Sequence, residues 1–156
     1  MPRGFSKQVT TRSKLVITVG LAGSGKSTYL ARLGVNAISS DEIRRLLADD
    51  PTDQSIHKLV FATIRYLIRQ RLAAGRRVTY VDATHLTRWE RRPYLELAKK
   101  LDLKVEALFF DVPAEVCIER NLLRRRRVPA RAIREMALRL EPPSKKEGFD
   151  RVVTVG

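Results

Sequence analysis

The run Gly20-Leu21-Ala22-Gly23-Ser24-Gly25-Lys26-Ser27 fits the pattern G-x-x-x-x-G-K-[ST] and is followed by Thr28. Glycines at these places let successive backbone N–H groups curl around a phosphate. A helix opening at Lys26 adds partial positive charge at its N-terminus, Lys26 reaches the β and γ phosphates of a nucleotide, and the Ser27 hydroxyl is placed to ligate Mg²⁺. Asp41 and Arg44 lie three residues apart at the start of a second helical stretch, so both project from one face. A carboxylate there can take the proton of an attacking hydroxyl, and a guanidinium can hold an anionic acceptor by a bidentate contact. The same spacing also suits an ordinary first-turn aspartate favoured by the helix dipole beside a solvated arginine. Asp82 ends the apolar run Val78 to Val81, where it suits Mg²⁺-water ligation, orientation of Arg44 or simply a turn after a strand. Arg120 and the run Arg124 to Arg127 come between two helical segments, as a lid would. A guanidinium there can stabilise charge on a transferring phosphoryl group, although a solvated basic loop has the same composition.

These side chains need elements to hold them, and the hydrophobic pattern supplies an order. Short β-branched runs alternate with stretches of helical period, which predicts an α/β fold of parallel strands covered by helices. Strands are expected over 15–19, 36–38, 78–81, 104–110 and, as an edge, 151–155. A helix over 26–33 stops at Gly34, and Ser39 with Glu42 has capping-box spacing for a helix over 41–47. A long helix is expected over 53–74, with Ile56, Leu59, Val60, Ile64, Leu67 and Ile68 on its apolar stripe. Further helices are expected over 89–101, from Pro113 to about 122, and after Pro129 at a first helical position. The stretch 141–148 reads as a loop. Sheet ligands bind at the carboxyl ends of parallel strands, and that rule sends the glycine loop, Asp41 and Asp82 to one crevice.

A chain of 156 residues with 44% hydrophobic content can pack one core, and no repeat or linker divides it. Residues 14–156 are therefore expected to form a single domain, preceded by a flexible basic arm over 1–13. Lys and Arg total 31 against 17 for Asp and Glu, a net charge of +14, which favours a polyanionic partner such as nucleic acid. The apolar run 15–19 is too short to span a membrane, and a single cysteine, Cys117, fits a reducing cytoplasm and a role as a buried small hydrophobe. No feature points to a protein partner. His57 and His85 are too far apart in sequence for metal-ligand spacing, and Trp89 suits helix packing better than stacking on a base.

Taken in order, Gly20 to Thr28, Ser40-Asp41-Glu42-Ile43-Arg44, Val81-Asp82-Ala83-Thr84 with Arg91 and Arg92 after it, Phe110-Asp111-Val112-Pro113, and Arg120-Asn121 running to Val128-Pro129 resemble the kinase domain of phage-type polynucleotide 5′-kinases. The resemblance covers about residues 14 to 140. It implies a P-loop kinase fold with a central parallel sheet of four to five strands and an Arg-rich lid. It further implies ATP-dependent phosphorylation of 5′-hydroxyl ends of single-stranded DNA or RNA. By that similarity Gly20, Gly23, Ser24, Gly25, Lys26, Ser27 and Thr28 serve ATP and Mg²⁺, Asp41 is the general base, and Arg44 grips the acceptor's phosphate. Asp82 supports the acceptor site, Arg124 is the lid arginine on the donor phosphates, and Arg120 lies near the adenine. Four consecutive arginines let the lid alignment slip by one, so Arg125 competes with Arg124. The best-known members carry a phosphatase domain as well, for which 156 residues leave no room, so kinase activity is expected without 3′-phosphatase activity. Two other functions use the same loop: a kinase of a small hydroxylated metabolite, and a nucleotide-dependent nucleic-acid-binding module.

Overall fold

The computed structural model describes residues 12–125 and 127–156. Its elements, in chain order, are β1 (Lys14–Val19), α1 (Lys26–Leu33), β2 (Ile38–Ser39), α2 (Ser40–Ala48), α3 (His57–Ala73), β3 (Val78–Asp82), α4 (Arg88–Lys100), β4 (Lys104–Phe110), α5 (Ala114–Leu122), α6 (Ala130–Arg139), a short 3₁₀ turn at Lys145–Glu147 and β5 (Arg151–Val155). The strands form one five-stranded sheet in the order β2-β3-β1-β4-β5, and every pairing is parallel. The near-continuous apolar sequence of β1 follows from this arrangement, since a central parallel strand is covered on both faces. One face packs Leu15, Ile17, Val19, Val81, Ala107 and Phe109 against α3 and α4, and the other carries Val16, Leu108 and Phe110 towards α1. A third cluster joins Leu21 of the glycine loop to Leu86, Cys117 and Ile133, and so ties α5 and α6 to the site.

Strand register aligns the ends that matter. Ser39 pairs with Asp82 and Ile17 with Val81, so the chain leaves β1, β2 and β3 along one edge. Thr18 makes the alignment tighter: its hydroxyl donates to the Ala83 carbonyl at 2.7 Å and accepts from the Ala83 N–H at 3.1 Å. The Gly20 N–H donates to the Thr84 carbonyl at 3.0 Å. β1 and β3 are thereby stitched together just where the glycine loop and Asp82 emerge.

Four local expectations change. α3 begins at His57 rather than at 53, because Asp50 and Asp53 turn the preceding backbone: Asp50 Oδ1 accepts from the Thr52 N–H at 2.9 Å, and Asp53 Oδ1 from the Ser55 N–H at 2.8 Å. Such Asx turns compete with helix for the backbone. Leu59 leaves the apolar stripe and is 60% exposed, while Val60, Ile64 and Ile68 are buried. Trp89 does not pack: it is 77% exposed, because the buried face of α4 carries Arg91, Tyr94, Leu97 and Ala98, and a residue two places before Arg91 points about 200° away. β2 is displaced to Ile38–Ser39. Of the basic arm expected over 1–13, residues 1–11 lie outside the described residues, and so does Arg126 of the basic run; Arg12 donates to the Leu103 carbonyl at 3.0 Å. Among the described residues no helix is long and apolar enough to cross a membrane.

Candidate active site

The site begins where β1 stops. Gly23 and Gly25 adopt φ of +81° and +97°, a region that side chains disfavour, and a Cβ on Gly23 would stand 2.6 Å from the Cys117 carbonyl oxygen. The glycines thus serve curvature and close approach to α5 together. Lys26 opens α1 and is 8% exposed. Its ammonium donates to the carbonyls of Gly20 at 3.1 Å and Leu21 at 2.6 Å, which holds the loop in its curl. Burial lowers its pKa from the usual value to about 8, against the opposing pull of Asp82.

Ser27, next on α1, donates from its hydroxyl to Asp82 Oδ2 at 2.6 Å. A hydroxyl and a carboxylate oxygen in contact are hard oxygen donors, so the pair fits a Mg²⁺ that keeps waters and phosphate oxygens for its remaining positions. No group of three or more His, Cys, Asp or Glu gathers elsewhere among the described residues. Asp82 thus rests against the first turn of α1, and among the described residues no hydrogen bond joins it to Arg44.

Asp41 and Arg44 come from the first turns of α2, which starts where Ser39 Oγ accepts from the Glu42 N–H at 3.3 Å. Only one arm of the expected capping box forms, since the Glu42 carboxylate is engaged by Arg45. Arg44 is 5% exposed, with Nη1 at 3.5 Å from Asp41 Oδ1 and a buried Nε that has no partner among the described residues. A buried cation with an unused donor calls for an anion.

Opposite lies the lid. Arg120 of α5 donates from Nη1 to the Ser24 carbonyl at 3.3 Å, against the glycine loop. Asn121 then clamps both ends of the arginine segment: its side chain accepts from the Val128 N–H at 3.0 Å and donates to the Val128 carbonyl. The lining of the central cavity includes Arg124 and Arg127 but not Arg125.

All of these groups face one cavity of about 1080 Å³, lined by the glycine loop, Lys26, Ser27, Thr28, Asp41, Arg44, Asp82, Arg120 and Arg124. The cavity is also lined by Thr52, Gln54, His57 and Phe61, which no motif in the sequence marks. Their signal is tertiary: the loop before α3 has no motif, and only the packing of α3 on α2 turns it inward. Arg91, which the resemblance placed after Asp82, is fully buried and bonds Glu147 at 2.9 Å and the carbonyls of His85 and Leu86, so it holds the backbone beside the cavity rather than facing it. His85 is buried as well, its Nδ1 at 2.6 Å from the Thr18 carbonyl, and burial pushes its pKa down to about 4, leaving the ring neutral.

A strand-loop-helix phosphate cradle at the centre of a parallel 2-3-1-4-5 sheet, with an arginine-bearing segment across it, is the P-loop kinase fold. The chain belongs to the AAA domain family, whose model matches residues 15–143. It is similar to an L-seryl-tRNA(Sec) kinase of Methanococcus maripaludis, at 23% identity over 143 residues, covering 87% of this chain and 56% of that protein. Among solved structures it resembles a chain of the Pnkp1/Rnl/Hen1 RNA repair complex, with a TM-score of 0.72 at 22% identity, covering 89% of this chain and 47% of the other. It also resembles a gluconokinase from Sinorhizobium meliloti 1021, with a TM-score of 0.59 at 25% identity, covering 92% and 82%. The chain thus spans about half the length of the seryl-tRNA(Sec) kinase and of the matched chain in the RNA repair complex.

Proposed function

We propose that this protein transfers the γ phosphoryl group of ATP to the 5′-hydroxyl end of a single-stranded DNA or RNA, with Mg²⁺. The observation that carries the reading is that the phosphate loop and the Asp41–Arg44 pair line the same cavity. In the reaction the Asp41 carboxylate accepts the proton of the 5′-hydroxyl as its oxygen bonds to the γ phosphorus. The bond from that phosphorus to the β–γ bridging oxygen breaks, and ADP leaves. Lys26, on the loop, and Arg124, on the lid, meet the charge that spreads over the transferring oxygens. Ser27 and Asp82 would hold Mg²⁺, which would add neutralisation of the phosphate oxygens. Arg44 holds the phosphate that follows the terminal nucleoside, and Arg120 lies towards the adenine side of the donor.

Two facts favour a nucleic acid over a small acceptor. The net charge of +14 suits a polyanion and predicts salt-sensitive acceptor binding. The cationic Arg44, with its unused Nε, suits an acceptor bearing a phosphate. The likeness to an RNA repair protein supports the same reading, while that to a gluconokinase keeps a small hydroxylated acceptor as the alternative. A cytoplasmic setting fits an ATP-consuming enzyme of this kind. The test is incubation with γ-labelled ATP, Mg²⁺ and a 5′-hydroxyl oligonucleotide beside its 5′-phosphorylated counterpart. Label is expected only in the 5′-hydroxyl strand; label in gluconate or another small polyol, with none in either strand, transfers the reading to metabolite phosphorylation.

A further inference from the structure

The cavity also carries a feature that phosphate transfer does not use. His57, at the first position of α3, and Phe61, one turn on, stack side by side with ring centroids 4.6 Å apart and planes tilted by 47°. Both rings line the cavity that Asp41, Arg44, Thr52 and Gln54 also line. The pair is not loose. Phe61 is half-buried and meets Tyr94 and His85 edge to face, at 6.4 Å and 6.3 Å, so the core holds it in place, while the His57 ring in front of it stays exposed. An exposed aromatic surface backed by a fixed ring, on the same cavity as a buried cation with an unused donor, matches a ligand that is flat at one end and anionic at the other.

Resting on the reading of the acceptor as a 5′-hydroxyl strand, we infer that His57, backed by Phe61, is the platform on which the acceptor's terminal nucleobase stacks. The hydroxyl is then directed to Asp41 while Arg44 holds the following phosphate. Thr52 and Gln54 line the same cavity and offer it polar side chains. A small polyol has no planar ring to place there, so the platform selects for nucleotides by shape. Stacking is tolerant of base identity, because each base has a π face, so all four terminal nucleotides are accepted to similar degrees.

The experiment compares two 5′-hydroxyl oligonucleotides, one with an intact terminal nucleotide and one whose terminal sugar lacks its base, using wild type, His57→Ala and His57→Phe. Phe61 is left unchanged because its ring is part of the core. Loss of the base should raise the wild-type acceptor KM about tenfold, the size of one base–aromatic stack. In His57→Ala the intact strand should show the same raised KM and the abasic strand no further change, with the KM for ATP unaltered. His57→Phe should restore discrimination. If wild type and His57→Ala discriminate alike, or wild type does not discriminate, the platform is refuted while the kinase reading stands. If wild type labels neither strand, both fall together.

Discussion

Ser27 Oγ donates to Asp82 Oδ2 at 2.6 Å, and this bond joins the first turn of α1 to the carboxyl end of β3. It gives Asp82 a place on the donor side of the cavity, beside the group expected to ligate Mg²⁺. A carboxylate in contact with the metal, or with a residue that ligates it, acts through metal affinity more than through the acceptor. Asp82→Asn should therefore raise the Mg²⁺ concentration for half-maximal transfer by about 10- to 100-fold. A metal titration at saturating ATP and acceptor reads this directly. An unchanged Mg²⁺ requirement with a raised acceptor KM would instead return Asp82 to the acceptor side.

Lys26 carries a pH signature. Its folded pKa, about 8, lies below the ordinary lysine value of 10.5 because the ammonium is buried. In the free protein an unfolded chain therefore binds more protons than the folded one between these values. The stability that this group contributes is fully present above about 10.5 and is lost as pH falls through about 8. ATP reverses the demand, because its phosphates require the ammonium. Affinity for ATP should weaken as pH rises above about 8, with proton uptake on binding, and calorimetry in two buffers of different ionisation enthalpy measures that uptake. In Lys26→Met the uptake should vanish.

The pair Arg91–Glu147 anchors the backbone that follows β3, with both side chains almost wholly out of water at 0% and 6% exposure. Glu147 also accepts from the Ser144 N–H at 3.0 Å. Removing one partner leaves a buried charge without its counterion, so Glu147→Ala should lower stability by about 3–5 kcal/mol in urea unfolding. A loss below about 1 kcal/mol, the value typical of exposed pairs, would show that Arg91 finds water or another acceptor.

Much of this site is legible in the sequence because local rules decide it. The loop from Gly20 to Ser27 has a fixed spacing, the strand before it is apolar throughout, and the helix after it opens at Lys26 as expected. Parallel strand ends bring Asp41 and Asp82 to the same edge for a topological reason that alternating periodicity reveals. What periodicity cannot give is which residues face each other across the cavity. The Ser27–Asp82 contact, the choice of Arg124 and Arg127 over Arg125 on the lining, and the His57–Phe61 pair all depend on how separate elements pack. Trp89 fails for a related reason: an aromatic near a helix start promises burial, but the angular position of the α4 stripe, set by Tyr94 and Leu97, turns it outward.

The proposal depends most on the partnership between the phosphate loop and Asp41, and single-turnover transfer by wild type and Asp41→Ala tests it most directly. Enzyme in excess over γ-labelled ATP is mixed with a saturating 5′-hydroxyl oligonucleotide, and label in the strand and free phosphate are followed together. A general base contributes about 10²- to 10⁴-fold, so Asp41→Ala should lose transfer by that factor while binding ATP as tightly as wild type. If instead both proteins release free phosphate at equal rates and label no strand, the site is a nucleotide switch and the kinase account is contradicted.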